Sequence, residues 1–299
     1  MQSILGESAC LTAALLWAVA VVLFRVPIAA WGPRTANLVK CLLGTTLLLM
    51  TLPFFGGFAA FSVASPRDIG LIALSGIIGL TIGDTLLFAA IGRLGAHRTL
   101  VLGTSAPVFA GLLAAAGGER LSAGQFAGAA VVLIGVTIVV GPGGPNADGA
   151  KRVAIGGIAF ALLAAFGQGA GVVLAKEGLD TLGAMPATLL RLAAGTAGLL
   201  AAAALRGGFD RLRDAFHDGR TMRRMAPAAF FGTYLALLLM MIGVALAPAT
   251  IAAVLLATSP IFSLVIEAAA DRKWPTPLAV IGTIIAVAGV AVLVSFANS

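Results

Sequence analysis

The sequence predicts an all-α integral membrane protein, with ten transmembrane helices arranged as two inverted five-helix repeats. Three observations predict it. Hydrophobic residues make up 60% of the 299 residues and charged residues only 10%, with a mean hydropathy of +1.07. Soluble domains carry roughly 25% charge, so most of this chain cannot face water. The same scarcity of charge excludes a disordered chain. The apolar residues collect in runs near the roughly 20 residues that a spanning helix needs. Finally, the two halves of the sequence repeat one another at an almost constant offset.

Read between charges and Gly/Pro turns, the runs are segments 1 to 10, at 7–24, 35–52, 68–91, 97–117, 123–140, 154–175, 184–205, 226–246, 249–269 and 276–296. The leading stretch of segment 1, Met1 to Ser8, carries Glu7 and no Lys or Arg, so the basic start of a signal peptide is missing. Its run also continues past Ala18-Val19-Ala20 into Val21-Val22-Leu23-Phe24, which predicts a retained helix. Segment 2 carries Lys40, and segment 3 carries Asp84. Segments 3 and 4, and again 8 and 9, are joined by very short turns. Segments 5 and 10 place glycines seven apart, at Gly128/Gly135 and Gly282/Gly289, which predicts packing seams. The pairs Gly79/Gly83, Gly124/Gly128 and Gly167/Gly171 have the same small-residue character. Two connections read as true loops: 141–146, rich in Gly and Pro, and 206–224, with six arginines and three aspartates, which suits a short surface helix. Cys10 and Cys41 lie inside apolar runs without metal or redox spacing and read as small hydrophobes.

The repeat is specific. Asn37 to Thr45 aligns with the run ending Arg191-Leu192-Ala193-Ala194-Gly195-Thr196 at an offset of 151, which superposes Lys40 on Arg191. Ser105-Ala106-Pro107-Val108-Phe109 aligns with Thr258-Ser259-Pro260-Ile261-Phe262 at 153, and Gly128 and Gly135 align with Gly282 and Gly289 at 154. The copies are 1–141 and 154–299, with 142–153 as linker. An odd number of helices per copy puts the copies in opposite orientations, the inverted repeat that in many secondary transporters frames a substrate site near the midplane.

The net charge of +7 does not point to nucleic acid, because most basic residues sit between apolar runs, where they set membrane orientation. Fourteen of the 19 Lys and Arg fall in the loops after the odd-numbered segments, and three, Arg67, Arg120 and Lys176, on the other side. Positive-inside logic places the fourteen-residue face in the cytoplasm and both termini outside.

Gly79-Leu80-Thr81-Ile82-Gly83-Asp84-Thr85-Leu86, with Gly95-Ala96, Pro107-Val108-Phe109, Glu119-Arg120-Leu121-Ser122, Gly128 and Gly135, resembles an EamA repeat of the drug/metabolite transporter superfamily. The resemblance covers both copies. It implies ten helices, termini on one side, and movement of small metabolites or drug-like compounds, commonly as efflux, with a lipid-intermediate flippase as the alternative substrate class. A non-transporting membrane partner and a channel are the readings from other classes. The second copy departs from the pattern: Lys273 stands where the first has Glu119, and the Asp84 position falls on Leu237. The abundance of Ala, Gly and Arg suits a bacterial inner-membrane protein.

Ionisable groups inside spans are costly and usually face a partner or cavity. Lys40 and Asp84 lie at similar depths, so either they pair, as a structural contact or a proton-exchanging one, or Lys40 snorkels and Asp84 is satisfied by Thr81 or Thr85. Arg191 lies near the other membrane face, without an acid in its own copy; it either snorkels or awaits an anionic group such as a substrate carboxylate. Trp17, Thr104, Ser105, Gln168, Tyr234, Thr258 and Ser259 lie at mid-depth, and as a set they offer a binding surface around the pseudo-symmetry axis. Ser105 and Thr258, beside Pro107 and Pro260, equally suit capping of carbonyls that the prolines free. His97 and His217 make no metal-ligand cluster, no nucleophilic triad is apparent and no phosphate loop is present. The expectation is therefore a non-enzymatic protein without cofactor or metal, whose partners are a small-molecule substrate and membrane lipid.

Overall fold

The computed structural model describes residues 2–55, 58–118, 121–140, 148–178, 182–247 and 249–296, and every regular element among them is helical. Among the described residues, eight helices are long and apolar enough to cross a membrane. Glu119, Arg120 and the 141–146 turn lie outside the described residues.

Segments 1 and 2 fall in one helical stretch, Gln2–Thr51, of 50 residues. At 1.5 Å per residue it is about 75 Å long, more than twice the roughly 30 Å of a hydrocarbon core. It bends at Gly32, whose φ of 77° and ψ of 164° admit no ordinary side chain, and Pro33 follows at once. Segment 1 therefore continues as helix beyond the expected end at Phe24, through Arg25 and Pro27. Segments 5 and 7 form Ala123–Val140 and Ala184–Leu205, and segment 10 forms Pro277–Ser295.

Segments 4 and 9 are each broken in the middle. Ala96–Gly103 gives way to Ala106–Ala116, and Ala249–Leu256 to Ser259–Asp271, with a proline opening the second half of each. Such breaks are tolerated in lipid only where the freed backbone groups find partners. Here tight backbone turns supply partners, from the N–H of Thr104 to Val101 O, of Ser105 to Leu102 O and of Thr258 to Leu255 O, each at 3.1 Å. The same carbonyls also accept from the hydroxyls of Thr104 and Ser105, both at 2.6 Å, and of Thr258 at 2.5 Å.

Segments 5 and 10 form the most extensive helix pair. A Cβ added at Gly135 would meet the backbone of Ala286 and Gly282, and one at Gly282 the carbonyl oxygen of Gly135. Between helices in lipid, close van der Waals approach replaces the hydrophobic drive, and glycine permits it.

The arginine-rich connection folds as two short helices, Phe209–His217 and Gly219–Ala228. Asp218 caps the second, accepting from the Thr221 N–H at 3.0 Å, and also accepts from Trp31 Nε1 at 3.0 Å. The hydrogen bonds from Thr221, and then from Trp31, hold its carboxyl below the usual carboxylate range. The connection is thereby tied to the bend between segments 1 and 2. Segment 10 starts with Thr276, whose side chain accepts from the Ala279 N–H at 3.3 Å, and Pro277 at the first helical position. Loss of that cap in Thr276→Ala should cost about 1 kcal/mol, read as a lower melting temperature of the detergent-solubilised protein.

Candidate functional site

The two copies share a backbone anomaly. Seven residues of π-helix, Ile77–Gly83, interrupt segment 3, and seven more, Ala229–Leu235, interrupt segment 8 at the equivalent place, 152 residues on. π-turns are rare and concentrate at functional positions, because they free carbonyls from the regular ladder. In the first copy side chains reach the carbonyls of this segment: Gln168 Nε2 donates to Gly79 O at 3.1 Å, which also accepts from the Asp84 N–H, and Asn37 Nδ2 to Leu80 O at 2.9 Å. The register of 152 places the counterpart of Asp84 at Ala236 rather than Leu237, again not an acid.

Two repeat-equivalent threonines touch. Thr45 and Thr196, 151 residues apart, have their hydroxyl oxygens 2.9 Å apart. Thr196 also donates to the carbonyl of Leu192 at 2.8 Å, so Thr45 is the donor between them. Repeat-equivalent residues thus meet where segments 2 and 7 pack together.

Near that contact lies the cluster that the buried charges form. Lys40 Nζ and Asp84 Oδ2 make an ion pair, with the two residues 2% and 3% exposed. Gln168 of segment 6 donates through Nε2 to Asp84 Oδ1 at 2.7 Å, so the second copy reaches into the first copy's pair. Phe88, one turn beyond Asp84, presents its ring 5.3 Å from Lys40 Nζ. Thr85 donates to Thr81 O, and Thr81 to Gly195 O, so neither hydroxyl is what satisfies Asp84. Asn37 completes the cluster, donating to Thr85 Oγ1 at 3.0 Å. Sequence reading left Asn37 out; its place one helical turn before Lys40 was the available signal.

Arg191 joins the same cluster. It is attracted by Asp84, and it repels Lys40 as a like charge. Its guanidinium rests in a notch that exists because two residues lack side chains; a Cβ at Gly79 would come within 2.8 Å of Arg191 Nη2, and one at Gly171 within 3.1 Å. Its Nε is buried and has no hydrogen-bond partner among the described residues.

The other residues of the expected surface are spread more widely. Trp17 packs against the core around Phe24 and Phe88 and lies beside Gly232 of the second π-segment. Tyr234, within that π-segment, has its hydroxyl 2.8 Å from Thr51 Oγ1. Ser105 and Thr258 have their hydroxyl protons committed to the capping bonds of their own broken helices.

A cavity of about 1190 Å³ ends near the cluster. Its walls are apolar, with Val22, Val26 and Ile91 among them, its rim carries Arg25, Arg93, Arg224 and Asp271, and Phe88 backs it. Those arginines belong to the basic face expected in the cytoplasm. Phe88 thus stands between the cavity and Lys40. At the rim, Glu267 of segment 9 accepts from the backbone N–H of His97 at 2.8 Å and of Ala96 at 3.3 Å, and pairs with Arg25 at 3.3 Å. Asp271 pairs with the same Arg25 nitrogen at 3.0 Å. His97 is buried and bridges three segments, with Nδ1 3.2 Å from Pro260 O and Nε2 3.3 Å from Thr283 Oγ1. Its interfacial position in sequence concealed that role. No group of three His, Cys, Asp or Glu side chains among the described residues is placed to hold a metal ion.

The EamA-like transporter family matches this chain twice, over residues 4–141 and 155–295. No curated protein matches it significantly. Of the solved structures, 16 chains match. One, described as the crystal structure of a protein, is 18% identical and superposes with a TM-score of 0.66 over 97% of this chain and 95% of that one. At that identity the likeness is one of fold.

Proposed function

The chain belongs to the EamA-like transporter family, within the drug/metabolite transporter superfamily, and from that premise we propose that it is a ten-span secondary transporter exporting small metabolites or drug-like compounds across a bacterial inner membrane. The two inverted copies, 1–141 and 154–299, rock about a central site between them. The bent stretch Gln2–Thr51 counts as two spans, and the continuous helical run from Gly219 to Leu246 supplies segment 8. The termini face outward, and the arginine-rimmed cavity is the cytoplasmic vestibule.

The observation that carries this reading is the buried Lys40–Asp84 pair, bridged to the second copy by Gln168. A salt bridge in a low-dielectric interior is held only while its geometry is good. A rocking motion that parts segment 6 from segment 3 withdraws Gln168 and weakens the pair, and so couples the motion to the charge state of Asp84. Trp17, Gln168, Arg191 and Tyr234 line the substrate path, while Ser105 and Thr258 fix the breaks in segments 4 and 9. Asp84, with Lys40 and Arg191 as the charged groups facing it, exchanges a proton when the pair opens to water.

In proteoliposomes of the purified chain, substrate-driven proton movement, read with a trapped pH dye across a metabolite and drug panel, should appear in the wild type and vanish in Asp84→Asn. Full pH-dependent transport in Asp84→Asn would remove Asp84 from the coupling.

A further inference from the structure

The copies are alike in backbone but not in how their polar groups are satisfied. In the first, Lys40 is paired with Asp84, and the Thr81 hydroxyl donates to Gly195 O at 2.8 Å. The equivalent residues of the second copy are Arg191, 151 residues on from Lys40, and Thr233, 152 residues on from Thr81. Gly44, the equivalent of Gly195, faces the methyl of Thr233 rather than its hydroxyl. Arg191 Nε and Thr233 Oγ1 are buried side-chain atoms left without a hydrogen-bond partner among the described residues, and both belong to the second copy. Buried polar atoms are almost always satisfied, so each exception asks for an explanation.

Charge points the same way. The cluster contains two cations, Lys40 and Arg191, and one acid, Asp84. One positive charge is therefore left over in a region where ions are costly. A mono-anion placed at Arg191 neutralises it, whereas a dianion such as a phosphate monoester reverses the imbalance and brings a larger desolvation penalty. The guanidinium fork matches a carboxylate in two parallel hydrogen bonds. The glycine notch at Gly79 and Gly171 keeps the fork free of side chains on those two sides.

We propose that Arg191 is the substrate-recognising cation of the inter-repeat site and that the substrate bears a single carboxylate. This rests on the transporter reading above and narrows it. The first copy holds its own acid and does the coupling; the second, its acid position taken by Ala236, leaves its cation for the ligand. A loaded site is neutral and an empty one is not, which favours rocking of the loaded carrier.

The test uses the purified full-length chain and matched pairs of probes, benzoate against benzamide and phenylacetate against phenylacetamide, read by thermal stabilisation. A ligand that binds the folded state raises the melting temperature by mass action. The expected result is saturable stabilisation by a carboxylate and none by its amide, with affinity about 10–100-fold weaker in Arg191→Gln, as for a lost charged hydrogen bond. Arg191→Lys should recover part of the affinity, since it keeps the charge but not the fork. A second readout needs no ligand. Because the Arg191 charge is uncompensated, Arg191→Gln without ligand should melt at or above the wild type. A clear drop in its melting temperature would make Arg191 a structural cation and overturn the proposal. So would equal shifts from acid and amide, carboxylate shifts that survive in Arg191→Gln, or no carboxylate shift at all. Stabilisation by neutral or cationic compounds independent of Arg191 would refute the substrate class while leaving the transporter reading standing.

Discussion

Replacing Asp84 with alanine is expected to destabilise the protein by about 3–5 kcal/mol, the usual cost of removing one partner from a buried ion pair. The loss is large because Lys40, only 2% exposed, stays behind as an unpaired charge beside a second cation, Arg191. Gln168 loses the acceptor at Asp84 Oδ1, and keeps its bond to Gly79 O. The double variant Lys40→Met/Asp84→Leu removes both charges and should regain most of the stability while remaining inactive. Chemical or thermal unfolding in detergent measures both. If Asp84→Ala alone melted within a degree or two of the wild type, Lys40 would have found water, and the pair would not be the buried centre described above.

The second large effect is expected at the seam of segments 5 and 10. A methyl group added at Gly135 meets the backbone nitrogen of Ala286 and the carbonyl of Gly282, neither of which can swing aside. Overpacking of this kind costs typically about 1–3 kcal/mol, and a backbone obstacle puts Gly135→Ala at the upper end. Gly124→Ala, on the same helix, is the control: the nearest atoms it meets are those of the Phe296 ring, a side chain that can rotate. Gly135→Ala should therefore lower the melting temperature well beyond Gly124→Ala. Equal effects would mean that the helices separate freely along the whole seam.

Composition and periodicity made the all-helical membrane fold legible because each segment must satisfy its backbone internally and present apolar side chains to lipid. Segments 5 and 7 begin and end where the apolar pattern does, at Ala123–Val140 and Ala184–Leu205. The glycine seam was legible for the same reason, since the spacing of seven survives in both copies. The bend at Gly32 was less so. Segments 1 and 2 were separable by the Gly-Pro pair, but nothing local shows that Phe24 to Trp31 stays helical through Arg25 and Pro27. The π-segments were invisible, because hydropathy does not change when a helix widens by one residue per turn.

The site was legible in its residues and not in its geometry. Lys40 and Asp84 stand out as charges within apolar runs. Arg191 stands out in the same way, while its seat against Gly79 and Gly171 is set by tertiary packing. Ser105 and Thr258 illustrate another ambiguity: a hydroxyl beside a proline serves a pocket or a broken helix equally well in sequence, and their bonds to Leu102 and Leu255 engage the hydroxyl proton but not the oxygen's acceptor side.

The most direct test of the account is solute counterflow in proteoliposomes of the purified chain, preloaded with an unlabelled compound from the panel that stabilises it. A carrier working by alternating access at an inter-repeat site gives saturable, transient accumulation of the labelled compound, and Lys40→Met/Asp84→Leu gives none. Flux that rises linearly with concentration and shows no accumulation would instead make the protein a channel, and no flux above empty liposomes would make it a membrane partner that transports nothing.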